Sequence, residues 1–164
     1  MLKLDTPHKL FMQKLGAALT MEHTVLKMLE DLKKEARHED LEALFQHHAE
    51  ETQQQIANLG RAFAALDEEP DKKPCPAIKA LQVEGKANIG LAKGDLVDDV
   101  VLAAATETEH HEIAVYEELI TFAEAMRRDD VAALLRENLE QEQHTLEEVR
   151  RAAERIAQET LQPA

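Results

Sequence analysis

Aromatic side chains are scarce in this 164-residue chain, with four Phe, one Tyr and no Trp. Strands draw on aromatic and β-branched residues, so the shortage counts against sheets and favours helices, which Ala, Leu and Glu enter at little cost. Cys75 is the only cysteine. No internal disulfide can form, and a reducing compartment, the cytoplasm, is the expected home. Gly and Pro number five each, and they gather at breaks between periodic segments. Positive charge is also short. Nineteen Lys and Arg against 33 Asp and Glu leave a formal charge of −14, which repels nucleic acid and anionic membranes and attracts cations. Long apolar runs are absent, so no membrane span is expected, nor a signal-peptide core in the opening MLKLDTPHKLFMQKL.

Four long helical patterns are present. The first starts at Thr6-Pro7, a capping residue followed by Pro at the first helical position. Its stripe runs Phe11, Leu15, Leu19, Leu26 and Leu29 to about Arg37, and Gly16 should weaken it slightly. The second starts at Asp40 and carries Leu41, Leu44, Phe45, Ile56, Leu59 and Phe63 to about Leu66. Three prolines in DEEPDKKPCP then exclude regular structure. A shorter helical piece follows, broken by Gly85, Gly90 and Gly94. The third long helix begins at a capping Asp95, with Asp98 at its positive end, and reaches about Met126. The fourth begins at Asp129 or Asp130, carries Leu134, Leu135, Leu139, Leu146, Val149 and Ile156, and ends in a frayed LQPA. Short breaks make two antiparallel hairpins, and the stretch from Leu66 to Asp95 is a crossover. This is the plan of a ferritin-like four-helix bundle; an up-down bundle has no need of so long a connection.

Each buried stripe is interrupted by polar residues near mid-helix. Residues three, four and seven apart share a helix face. Glu22 breaks the first stripe, and His48, Glu51 or Thr52, and Gln55 break the second. Glu109 and Glu112 precede Tyr116 on the third, and Glu142 fills the gap on the fourth. Several buried carboxylates in one layer are intolerable without compensating positive charge, and no Lys or Arg falls on the stripes at that level. Two divalent or trivalent ions would neutralise the layer and take carboxylate oxygens as ligands. The candidate metal ligands are therefore Glu22, His48, Glu51, Glu109, Glu112 and Glu142.

The segments HHAEETQQQIANL, ATETEHHEIAVYEELI and LLRENLEQEQ resemble those of the YciE/YciF-type ferritin-like proteins, small bacterial proteins associated with stress responses. The resemblance runs over nearly the whole chain, KKPCPAIKAL included. It implies one ferritin-like domain over residues 1–164, a homodimer and a dinuclear iron site. The wider di-iron pattern places Glu-x-x-His on two helices. Here Gln54 and Thr145 stand where those histidines are expected, so His48 and Glu112 are the candidate replacements. A carboxylate-rich set suits Fe or Mn.

Two functions follow as expectations. One is a dinuclear metal protein that oxidises Fe(II) or reduces oxygen or peroxide, with Tyr116 supplying an electron or a hydrogen bond. The other is a non-catalytic dimeric helical module of the stress response whose site is vacant or degenerate. A lone inward Glu is commonly a boundary residue whose tip reaches water, and a lone core His is commonly just hydrogen-bonded. The coincidence on four helices is what carries the metal reading. His47, His110, His111 and His144 are expected off the stripes, and Cys75 is expected to be a spectator thiol with no activating neighbour. The apolar residues of the crossover helix, Ile78, Leu81, Val83, Ile89 and Leu91, are a second motive for a dimer.

Overall fold

The computed structural model describes residues 3–161, and within them the only regular structure is helix. Helix α1 is Pro7–Glu35, α2 Glu39–Ala65, α3 Pro76–Leu91, α4 Leu96–Ala125 and α5 Asp129–Leu161. The Thr6 hydroxyl caps α1, accepting from the Lys9 N–H at 3.2 Å, with Pro7 in the first turn. The C-terminal segment is helical to Leu161; the rest of the expected frayed tail, Gln162–Ala164, lies outside the described residues.

Helices α1 and α2 form one hairpin and α4 and α5 the other, with α1 packed on α4 and α2 packed on α5. The backbones of α2 and α4 do not approach, so the crossover carries the chain to the diagonal corner. This is the ferritin-like arrangement, and an up-down bundle would have made α2 and α4 neighbours. Helix α3 lies outside the bundle, over α1 and α4. Helices α2 and α4 end alike: Asp67 and Arg127 take φ of 57°, and Glu68 and Arg128 N–H groups close back on Phe63 and Ala123. That closure satisfies carbonyls a helix end leaves bare.

Several local expectations change. The short helix is not broken at Gly85 or Gly90 and runs unbroken to Leu91, while Gly94, at φ 60°, makes the turn into α4. Gly85 serves contact: a Cβ there would lie 3.3 Å from the Ala104 side chain on α4. The Asp95 side chain makes no capping bond. Asp98 turns inward and receives the Arg37 N–H at 2.8 Å and the His38 ring, tying the α1–α2 turn to the start of α4. The Asp98 hydrogen bond lifts the His38 pKa above its ordinary value.

Gly16 also has a purpose that helix propensity hides. The crossover lies across it: Lys73 N–H donates to the Gly16 carbonyl at 3.0 Å, and a Cβ would sit 2.3 Å from the Asp71 carbonyl oxygen. Gly60, with nothing within 4 Å of its would-be Cβ, is the control. Gly60→Ala should gain about 0.5–1 kcal/mol from propensity. Gly16→Ala should instead lose on the order of 1–2 kcal/mol, because overpacking against backbone exceeds that gain. Equal melting temperatures for the two variants would refute the role given to Gly16.

Candidate metal centre

Apolar layers close both ends of the bundle. Phe11, Leu15, Leu59, Phe63, Leu119 and Leu135 are fully buried on one side of the interrupted level, and Val25, Phe45, Leu102 and Val149 on the other. Between them lie Glu22 from α1, His48, Thr52 and Gln55 from α2, Glu109, Glu112 and Tyr116 from α4, and Asn138, Glu142 and Thr145 from α5, none more than 2% exposed. Spacings of three, four and seven residues put each set on one inward stripe.

His48, Glu109, Glu112 and Glu142 each offer one donor atom, and all four atoms lie within 4.8 Å of one another. An octahedral ion at roughly 2.1 Å from its ligands would keep neighbouring donors about 3 Å apart and opposite ones about 4.2 Å apart, so the group has the right size. His48 Nε2 lies 3.1 Å from a Glu109 oxygen and 3.7 Å from a Glu142 oxygen. It forms no properly directed hydrogen bond to either, and is left without a partner. The same is true of Glu22 Oε2, Glu109 Oε2 and both oxygens of Glu112 and of Glu142. Buried polar atoms are rarely orphaned, and each unpartnered charge is costly. Among the described residues no Lys or Arg pairs with these carboxylates; their one cationic neighbour is His48. The donor set, the spacing and the orphaned atoms all suit a hard cation.

The electrostatics agree. Burial pushes the Glu22 carboxyl up to about 7, against the hydrogen bond from Tyr116. Burial, then repulsion from Glu142 and Glu22, holds Glu112 well above the carboxylate range, and burial likewise raises Glu142. For His48, burial pulls downward, but the Glu109 carboxylate and its neighbours prevail and lift the imidazole well above its ordinary value. Without an ion, the layer must hold protons.

The two remaining candidates flank the four-donor group. Glu22 lies beside Glu112, and its Oε1 accepts the Tyr116 hydroxyl. Glu51 stands on the other edge of the imidazole, 3.6 Å from His48 Nδ1, and is held by the Thr145 hydroxyl at 3.2 Å. In this position Glu51 orients the ring and leaves Nε2 toward the donor group, an arrangement common behind metal-bound histidines. Burial would raise the Glu51 pKa, but His48, His47 and Thr145 together hold it below its usual value. Thr145 therefore supports the imidazole from the place where the wider pattern has a histidine.

The sequence reading passed over Asn58, Asn138 and Gln55 as functional residues. Asn138 is one turn before Glu142, and Asn58 is one turn beyond Gln54, so stripe position was the available signal. Both amide atoms of Gln55 are buried without partners. His47, His110 and His144 are exposed, as expected, whereas His111 is half-buried with Nε2 4.0 Å from the Cys75 sulfur. Burial and Lys14 hold that imidazole below its ordinary pKa. Of the crossover side chains, Ile78 is fully buried, while Val83 and Leu91 are 69% and 79% exposed.

Comparison with known proteins places this geometry in a family. Residues 6–162 match the family model described as "Domain of unknown function (DUF892)". Protein YciF of Escherichia coli K12 is 30% identical over 146 residues, which are 88% of each chain. The crystal structure of the E. coli stress protein YciF superposes with a TM-score of 0.89 over 94% of this chain and 99% of that one, at 27% identity. YcfI of Rhodopseudomonas palustris, described as a putative structural protein, gives 0.88 at 31% identity over 92% of this chain and 98% of its own. Dps from Thermosynechococcus elongatus, at 15% identity and a TM-score of 0.68 over 88% of this chain and 90% of its own, shares the fold alone. Family model, relatives and fold converge: the chain belongs to the DUF892 family of YciF-type ferritin-like proteins.

Proposed function

We propose that the protein binds two transition-metal ions, iron in the first place and manganese as the alternative, and uses them to oxidise Fe(II) or to reduce oxygen or peroxide under stress. The observation that carries this reading is the fully buried group of His48, Glu109, Glu112 and Glu142, with donor atoms within 4.8 Å and most of them orphaned. Those four residues would hold the ions, Glu22 would offer its free Oε2, and Glu51 would hold His48 and swing in as a further ligand. A redox-active metal supplies one-electron chemistry that side chains lack. The residues supply a closed apolar surround, carboxylates that accept and release protons, and a phenol, Tyr116, one turn from Glu112. A homodimer and a cytoplasmic setting fit the resemblance to YciF, the exposed Val83, Leu91 and Leu96, and the absence of any helix in the described residues long and apolar enough to cross a membrane.

The test is elemental analysis of protein purified without added metal, followed by anaerobic loading with Fe(II) and exposure to oxygen or peroxide. About two iron atoms per chain and an oxidation rate well above that of free Fe(II) are expected. Stoichiometry near zero after loading would instead leave the non-catalytic helical module as the function.

A further inference from the structure

The buried asparagines next to the site form a line of hydrogen bonds whose direction is fixed at both ends. At the outer end Arg61 donates to Asn58 Oδ1 at 3.2 Å, joined by the Gln54 amide at 3.2 Å. A guanidinium has no acceptor, so Asn58 must present oxygen there and nitrogen inward. Asn58 Nδ2 accordingly donates to Asn138 Oδ1 at 2.8 Å. Asn138 Nδ2 then gives one hydrogen to the Gln55 backbone carbonyl at 3.2 Å and one to the Tyr116 hydroxyl oxygen at 3.0 Å. A backbone carbonyl can only accept, so this inner end favours the same orientation as Arg61 does. Having received an N–H, the phenol aims its own hydrogen at Glu22 Oε1. Reversing the line would set two donors against each other at Arg61 and press the Asn138 amide oxygen against the Gln55 carbonyl oxygen. Asn58, Asn138 and Tyr116 are all fully buried, and water is not at hand to repair such faults.

We propose that Arg61, Asn58 and Asn138 are positioning residues that lock the Tyr116 hydroxyl as a donor to Glu22, fixing this carboxylate on Oε1 and leaving Oε2 to meet a cation. Its functional consequence rests on the metal reading above; the lock itself does not. The line explains why an apolar core keeps two amides in contact, and it gives Tyr116 one hydrogen-bond acceptor, on α1, across the bundle from α5.

Tyr116 is the sole tyrosine and there is no tryptophan, so the near-UV spectrum reads this hydroxyl directly. Asn58→Asp keeps the volume and can still pair with Arg61. Its second oxygen, however, demands an N–H from Asn138, which must turn its carbonyl toward Tyr116 and draw the phenol hydrogen away from Glu22. In metal-free protein the tyrosine band should shift. In Mn(II) titrations Asn58→Asp and Tyr116→Phe should each weaken binding about tenfold, the loss typical of a group supporting a ligand. The double variant should be no weaker than either. A purely structural asparagine would lower affinity equally with or without the hydroxyl, so losses that multiply, or an Asn58→Asp variant matching the parent, would overturn the proposal. Should Asn58→Asp fail to fold, Arg61→Ala at the exposed end serves in its place. Its smaller loss, about threefold, must likewise vanish in the Tyr116→Phe background, and an equal effect in both backgrounds overturns the lock. If the parent takes up no Mn(II) or Fe(II), the metal reading fails by itself. The near-UV band then decides: a shift in Asn58→Asp or Arg61→Ala supports the lock, and an unchanged band refutes it.

Discussion

Glu142→Gln is expected to strip the protein of most of its metal while making the metal-free form more stable. Both oxygens of Glu142 are buried without partners, within reach of His48 and the other donors. Replacing the carboxylate by an amide of the same size removes one anionic ligand, and affinity should fall by more than the 10–100-fold that loss of a supporting group costs. The stability arm has the opposite sign. Burial raises the Glu142 pKa well above the carboxylate range, so the folded metal-free protein keeps a proton there to higher pH than the unfolded chain does. Holding a carboxyl neutral at pH 7 against an unfolded pKa near 4.3 costs up to about 3.7 kcal/mol. Glutamine has no proton to hold, so the variant should recover part of that cost. For a chain of this length the gain corresponds to at most about 7–15 °C in melting temperature. The gain should disappear near pH 4, where the carboxyl is neutral in both states. Metal content and melting temperature, measured on the same preparations, check both arms. A variant that keeps its metal, or loses stability at pH 7 without metal, would refute the assignment of Glu142.

This opposition between site and stability is what made the centre readable. Glu22, Glu109, Glu112 and Glu142 stand out because a 3.6-residue period leaves no reason for charge on an inward stripe, and the structure buries all four completely or nearly so. The crossover was legible for a similar reason: three prolines and a change of composition interrupt otherwise continuous helical periodicity. Other features had a weaker signature or none. Glu51 and Thr52 compete for the inward direction on α2, and only side-chain geometry shows Thr52 buried and Glu51 turned to the Nδ1 edge of His48. Asn58 and Asn138 are ordinary helix-surface residues in composition, and their meaning lies in a contact eighty positions apart in sequence. Gly16 looks like a flaw in α1 until the irregular crossover is laid across it. Asp98 satisfies a rule for helix starts and still serves another turn, that between α1 and α2. What stayed illegible was tertiary contact made by segments or side chains without a period of their own.

The same electrostatics predict that metal-free protein loses stability as pH rises, while the stabilisation gained on loading metal grows. Consider first the metal-free form. Burial raises Glu22 to about 7 and places Glu112 and Glu142 well above their ordinary range. A group whose folded pKa is raised contributes stability below its unfolded value and loses it as pH rises through the folded one. Metal-free protein should therefore lose stability steadily from about pH 4.5 to beyond pH 7, by up to about 1.4 kcal/mol per pH unit for each proton the layer still holds. His48, also raised, acts in the same direction above about pH 6.5, the unfolded value of an imidazole. Glu51 adds no slope in this range, since the contribution of a lowered carboxyl is complete above its unfolded pKa and is lost only as pH falls below it. The layer shares its protons, so one broad decline is expected rather than separate steps. A cation takes the place of those protons, and ligands must be deprotonated to bind it. Loading with Mn(II) should then raise the melting temperature by little near pH 5 and by much more near pH 7.5, with protons released on binding. Thermal melts across this range, with and without metal, and calorimetry in buffers of different ionisation enthalpy would measure both. A metal-free melting temperature that climbs from pH 5 to pH 7.5, or a metal-induced shift that is the same at both ends, would show that these carboxyls are not the groups that hold the proton or the ion.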